Sequence, residues 1–147
     1  MMKRIDVMIW KYLVDNCGDY VSSIDICCSL GLSRRQLLTR ITKLKYPHVI
    51  KEDVSDDRMT FFKLDCDPAE AQLCTIKILS DYYNCPEDRI RKVVMSIPTG
   101  CSVTLDEIAG YDPNFSVREV TNIINIMPGV TMTKTWSKNR YRREEYV

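Results

Sequence analysis

The 147-residue sequence predicts an α+β chain: two small, mainly helical modules, each closed by a β-hairpin, joined by a largely apolar helix. Three observations carry that prediction. The string S-x-R-[Q/E]-[L/V]-x-x-x-I occurs twice, from Ser33 to Ile41 and from Ser116 to Ile124, an offset of 116 − 33 = 83 residues. Each copy follows a shorter helical segment and a turn, and each precedes two β-prone runs around a polar turn. Between them lies a segment, Pro68 to Tyr83, whose apolar residues cover most of a helical circumference.

In chain order, Ile5 to Asn16 carries an apolar stripe at Ile5, Ile9, Trp10, Tyr12 and Leu13, and Cys17-Gly18-Asp19 ends it. Ser22 or Ser23 can cap a short helix over Ile24 to Leu30, which Gly31 stops. Ser33 opens a third helix to about Lys45, and Pro47 forbids its continuation. Val49 to Asp53, a Ser55-Asp56-Asp57 turn and Arg58 to Leu64 read as a hairpin. Asp67-Pro68-Ala69-Glu70 starts the apolar helix, with Glu70, Lys77 and Asp81 on its narrow polar stripe. Pro86 to about Ile97 is the next helix, broken by Pro98-Thr99-Gly100. Thr104 and Glu107 form a capping box for a short helix to Ala109, and the loop Gly110 to Phe115 leads to a helix over Ser116 to Met127. Val130 to Trp136 and Arg140 to Tyr146 make the last hairpin. The expected division is therefore residues 1–66, a connecting helix over 67–85, and residues 86–147.

The order helix, helix, glycine turn, helix, hairpin resembles the winged-helix (winged helix-turn-helix) DNA-binding superfamily, in two tandem copies. The resemblance covers about residues 4–65 and 86–147 and rests on the whole pattern. It implies that the helices opened by Ser33 and Ser116 are recognition helices and that the hairpins are wings.

The two recognition helices differ. The first directs Leu37, Leu38, Ile41 and Leu44 inward and is expected to expose Arg35, Gln36, Thr39, Arg40 and Lys43. Arg and Lys suit phosphates and guanine edges, and Gln can pair with adenine. The alternative is a solvated basic face on a structural helix. In the second, Ile123 and Ile126 replace Arg40 and Lys43, and with Val120 they make an apolar surface. That surface calls for a packing partner, either the Pro68 to Tyr83 helix through Leu73, Ile76 and Tyr83, or a second subunit. The wings reverse the comparison. The first holds Glu52, Asp53, Asp56 and Asp57. The second holds Lys134, Lys138, Arg140, Arg142 and Arg143, interleaved with Trp136 and Tyr141 and followed by Glu144-Glu145. That cationic set suits phosphates or a minor groove, or alternatively guards an edge strand against aggregation.

Composition bounds the rest. The 45 % hydrophobic content supports a core, and the net charge of +1 confines any nucleic-acid surface to a local patch. The seven cysteines contain no C-x-x-C pair, and His48 is the sole histidine, so no zinc site is expected. Most of the cysteines are expected to be buried structural thiols, as in a reducing compartment. No phosphate loop, triad or nucleophile elbow occurs, so no enzyme, metal or cofactor is expected. No run approaches ~20 apolar residues, so no membrane span is expected. The function expected is a DNA-binding transcriptional regulator that uses the first module's recognition helix and the second module's basic wing, cytoplasmic and, given DNA binding, nucleoid-associated, with double-stranded DNA as partner and a homodimer or a protein partner through the apolar helices. The competing class is a protein-interaction scaffold. In outline the chain is similar to the kleisin-binding subunits of condensin and the winged-helix subunits of endosomal sorting complexes. A plasmid-type replication initiator is a weaker resemblance.

Overall fold

The computed structural model describes residues 2–44, 49–56, 59–109 and 114–144. Lys45, Pro47 and His48, Asp57 and Arg58, Gly110 to Pro113, and Glu145 and Tyr146 lie outside the described residues. The chain divides into two units, Met1–Asp67 and Pro68–Val147. The fold is α+β, with two small antiparallel sheets.

The first unit runs α1 (Arg4–Asp15), β1 (Val21–Ser22), α2 (Ser23–Leu30), α3 (Arg34–Leu44), β2 (Ile50–Asp56) and β3 (Met59–Leu64). Ser22 caps α2 by accepting from the Asp25 backbone N–H at 3.0 Å. Gly31 ends α2 in the left-handed region at φ 67°, which a side chain would strain. Ser33 and Gln36 close a reciprocal capping box on α3: Gln36 N–H donates to Ser33 Oγ at 3.1 Å, and Ser33 N–H donates to Gln36 Oε1 at 2.9 Å. The sheet order is β1-β3-β2. Along β3, Thr60, Phe62 and Leu64 point inward on the period of two. They meet Ile9, Trp10 and Leu13 of α1, Ile26 of α2, and Leu37, Ile41 and Leu44 of α3 in the core.

The second unit runs α4 (Pro68–Tyr83), α5 (Glu87–Met95), β4 (Val103–Thr104), α6 (Leu105–Ala109), α7 (Val117–Ile126), β5 (Val130–Lys134) and β6 (Asn139–Arg143). From α5 onward it repeats the first unit's order, with sheet order β4-β6-β5. The offset holds in the structure: 87 − 4 = 83 from α1 to α5, and 117 − 34 = 83 from α3 to α7. Ser116 and Glu119 form the second capping box, at 3.1 and 2.9 Å. The helix α4 belongs to this second unit. It packs on α5, and its side chains reach the residues that flank α7. Tyr83 meets Phe115 edge-on, with centroids 5.6 Å apart, just before α7 begins. Gln72 Nε2 donates to the Pro128 carbonyl at 3.1 Å, just after α7 ends.

Two expectations need correction. The short strands β1 and β4 turn each hairpin into a three-stranded sheet, pairing Val21 with Phe62 and Val103 with Tyr141. The cysteines are free, and Cys74 alone is buried, while Cys17, Cys28 and Cys101 are exposed. A cysteine needs no partner at a helix edge, so apolar-face spacing overstates its burial.

Candidate nucleic-acid interface

The face of α3 divides sharply. Leu37, Ile41 and Leu44 anchor it to the core, and Leu38 is half-buried. Arg34, Arg35, Gln36, Thr39 and Lys43 are exposed, and α3 contains no acidic residue. Beside this face lies an open hollow of about 440 Å³ lined by Lys3, Ile5, Ser33, Arg35, Gln36, Thr39 and Arg40. It forms where the first residues of α1 and α3 come together. Both helix N-termini carry partial positive charge, and Lys3 and Arg35 add two full charges. The hollow is electrostatically suited to an anion.

Arg40 differs from its neighbours, which corrects the expectation that it is a solvent-facing contact. Its Nε donates to Asp6 Oδ1 at 2.7 Å and its Nη2 to Asp6 Oδ2 at 2.5 Å. The Asp6 side chain is 0 % exposed and that of Arg40 12 %. The Lys3 backbone N–H gives Asp6 Oδ2 a third hydrogen bond at 2.7 Å. The hydrogen bonds to Asp6 hold the guanidinium charged, above its already high range. Arg40 therefore fastens α3 to α1 and positions its neighbours. Sequence reasoning missed Asp6, Lys3 and Arg34. The signal was present: Asp6, Ile9, Trp10 and Leu13 share one helical stripe, and an acid on a buried stripe needs a cation. Gln36 is also partly committed, because its Oε1 caps α3. Bidentate pairing with adenine would break that cap.

In the second unit the expected docking surface is core. Val120, Ile123 and Ile126 are 1, 0 and 3 % exposed, buried as α7 packs on α5 and α6. Ile76 is buried and Tyr83 half-buried on α4. The helices that pack on this surface are α5 and α6 of the same unit, rather than either partner expected. Burial, with added repulsion from Tyr82 and Glu119, raises the Tyr83 phenol above its ordinary range. Leu73 alone of this set is exposed. Arg40 and Ile123 sit at the same place in the repeat, and both face inward. One acquires a buried acid and the other becomes hydrocarbon.

The basic β5–β6 hairpin is likewise less available than its composition suggests. Arg140 Nε donates to Ser102 Oγ at 3.0 Å and Nη2 to the Ser102 carbonyl at 2.6 Å. Arg143 Nε donates to the Ile97 carbonyl at 3.0 Å. These two arginines clamp β6 to the segment before β4. Lys138 lies 3.3 Å from Asp106 and Arg142 3.5 Å from Glu144, both pairs in solvent and worth little. Lys134 is exposed on β5. On β2, Glu52 is exposed and Asp53 half-buried.

Among the described residues no group of three or more His, Cys, Asp or Glu side chains could hold a metal ion. No described helix is long and apolar enough to cross a membrane. No protein-family model matches the chain, and no curated protein matches it.

Proposed function

We propose that the first unit binds double-stranded DNA through α3 and that the protein acts as a transcriptional regulator. The observation that carries this reading is the α3 face: Arg34, Arg35, Thr39 and Lys43 exposed without an acid among them, beside a cationic hollow that takes in Lys3. A helix with an inert apolar back and a cationic, hydrogen-bonding front suits a major groove. The order α-β-α-α-β-β supports the reading, because it is the form of the winged helix-turn-helix. In this scheme Arg35 and Thr39 approach base edges. Lys3, Arg34 and Lys43 meet phosphates, and Arg40 holds the helix at its angle. A dimer would set two such helices about one helical turn, ~34 Å, apart. It would have to form elsewhere than on Val120, Ile123 and Ile126.

The test is selection from a random duplex pool followed by sequencing of the bound fraction. Enrichment of one motif, lost in Arg35→Ala with Lys43→Ala, supports the reading. Absence of retention at low salt refutes it. That result would favour a protein-interaction scaffold, for which the exposed Leu73, Val117 and Met132 of the second unit are the supporting observation.

A further inference from the structure

The hairpin between β5 and β6 presents a tryptophan that nothing in its own unit covers. Trp136 is 103 % exposed, whereas the chain's other tryptophan, Trp10, is 0 % exposed. The turn that carries Trp136 is built. The Thr135 backbone N–H donates to the Lys138 carbonyl at 3.1 Å, and the Lys138 N–H donates to Thr135 Oγ1 at 3.2 Å. Thr135 Oγ1 also donates to the Lys138 carbonyl. Trp136 and Ser137 thus sit at the apex of a fastened loop, and the large ring is held in water. Around it the charge is positive. Lys134 ends β5 on one side, and Lys138 follows the apex on the other, both exposed. The Lys138 contact to Asp106 is a solvent pair that a phosphate can displace.

We propose that this hairpin tip binds single-stranded nucleic acid, with an unpaired base stacked on Trp136 and the flanking phosphates held by Lys134 and Lys138. An aromatic face between two cations matches the repeating chemistry of a strand, one π-face followed by one negative charge. A bilayer surface fits less well, because the other apex residues, Thr135, Ser137 and Lys138, are polar and supply no further apolar area. The site shares no residue with α3, so either can fail without the other.

The experiment is titration of the full chain with an oligothymidylate of about twelve nucleotides, within the usual site-size range. Intrinsic fluorescence is the readout, since buried Trp10 and exposed Trp136 emit apart. The expected result is saturable quenching of the red-edge emission, with Trp136 protected from iodide. Trp136→Ala weakens binding by about 5- to 150-fold, Trp136→Phe restores part of it, and Lys134→Ala with Lys138→Ala lowers the salt dependence. Trp136 packs on nothing, so an unchanged melting temperature certifies each variant. Three results would overturn the proposal. Binding could survive Trp136→Ala unchanged. It could vanish instead in Arg35→Ala with Lys43→Ala, which would assign the strand to α3. Or the Trp136 emission could respond to vesicles of phosphatidylserine and not to the oligonucleotide.

Discussion

Removing Arg40 should unfold the first unit before it tests any ligand. Arg40→Ala leaves the Asp6 carboxylate, 0 % exposed, with the hydrogen bond from the Lys3 backbone N–H but without its cation. Breaking one side of a buried ion pair costs about 3–5 kcal/mol, because a charge stays behind without compensation. A unit of Met1–Asp67 has a total stability of only about 3–10 kcal/mol at ordinary values per residue. At roughly 4–8 °C per kcal/mol, the melting temperature should fall by more than about 12 °C. Replacing both members, Asp6→Leu with Arg40→Leu, removes the stranded charge and should recover most of the loss. Thermal unfolding followed by circular dichroism measures all three proteins. A melting temperature within about 3 °C of wild type for Arg40→Ala would refute the reasoning, since it would place Arg40 in solvent as a free DNA contact. A double variant no more stable than Arg40→Ala would show that the cost was lost packing and not stranded charge.

Three smaller perturbations follow from the local geometry. Ser116→Ala removes one half of the α7 capping box and should cost about 1 kcal/mol, read by urea unfolding. Gly31→Ala meets no atom within 4 Å, so its expected cost of about 1–2 kcal/mol is purely that of the φ of +67°, and Gly31→Asn should cost less. The Cys17 thiol is pushed up by partial burial and by Asp65 and Asp19, so its thiolate is scarcer in the folded protein than in the unfolded chain. Alkylation of Cys17 near pH 8 should be slower in the native state than in denaturant, and the gap should close as pH rises through the raised value. Folded stability from this group is present below the ordinary thiol pKa and is lost as pH rises through the raised value. Equal rates at pH 8 would contradict the assignment.

The features legible in the sequence were those whose chemistry is local. The Gly31 stop and the two hairpins arise from residues within a few positions of each other, and the structure forms them, although β2 continues to Asp56 and β5 ends at Lys134, which places Ser55 and Asp56 in a strand and Trp136 in a turn. The strands β1 and β4 were not legible, because two residues carry no alternation and gain their pairing from β3 and β6. Arg40 was misplaced because a helical wheel gives an angle and not a partner, and its partner lies 34 residues away. The same limit applied to α7. Its apolar width showed that something covers it, but the tertiary packing was needed to show that α5 and α6 do. The hollow beside α3 exists only because α1 begins there, a tertiary fact that no window of the sequence contains.

The central claim is that the cationic face of α3 and its neighbour Lys3 engage duplex phosphates. Its most direct test is the dependence of duplex affinity on salt, in wild type and in Arg35→Ala with Lys43→Ala. Three phosphate contacts, from Lys3, Arg34 and Lys43, predict a log–log slope of about −2.7 for the wild type and about −1.8 for the variant, which loses the Lys43 contact, with unchanged melting temperatures. A wild-type slope shallower than about −1, or a variant slope equal to the wild type's, would contradict the account.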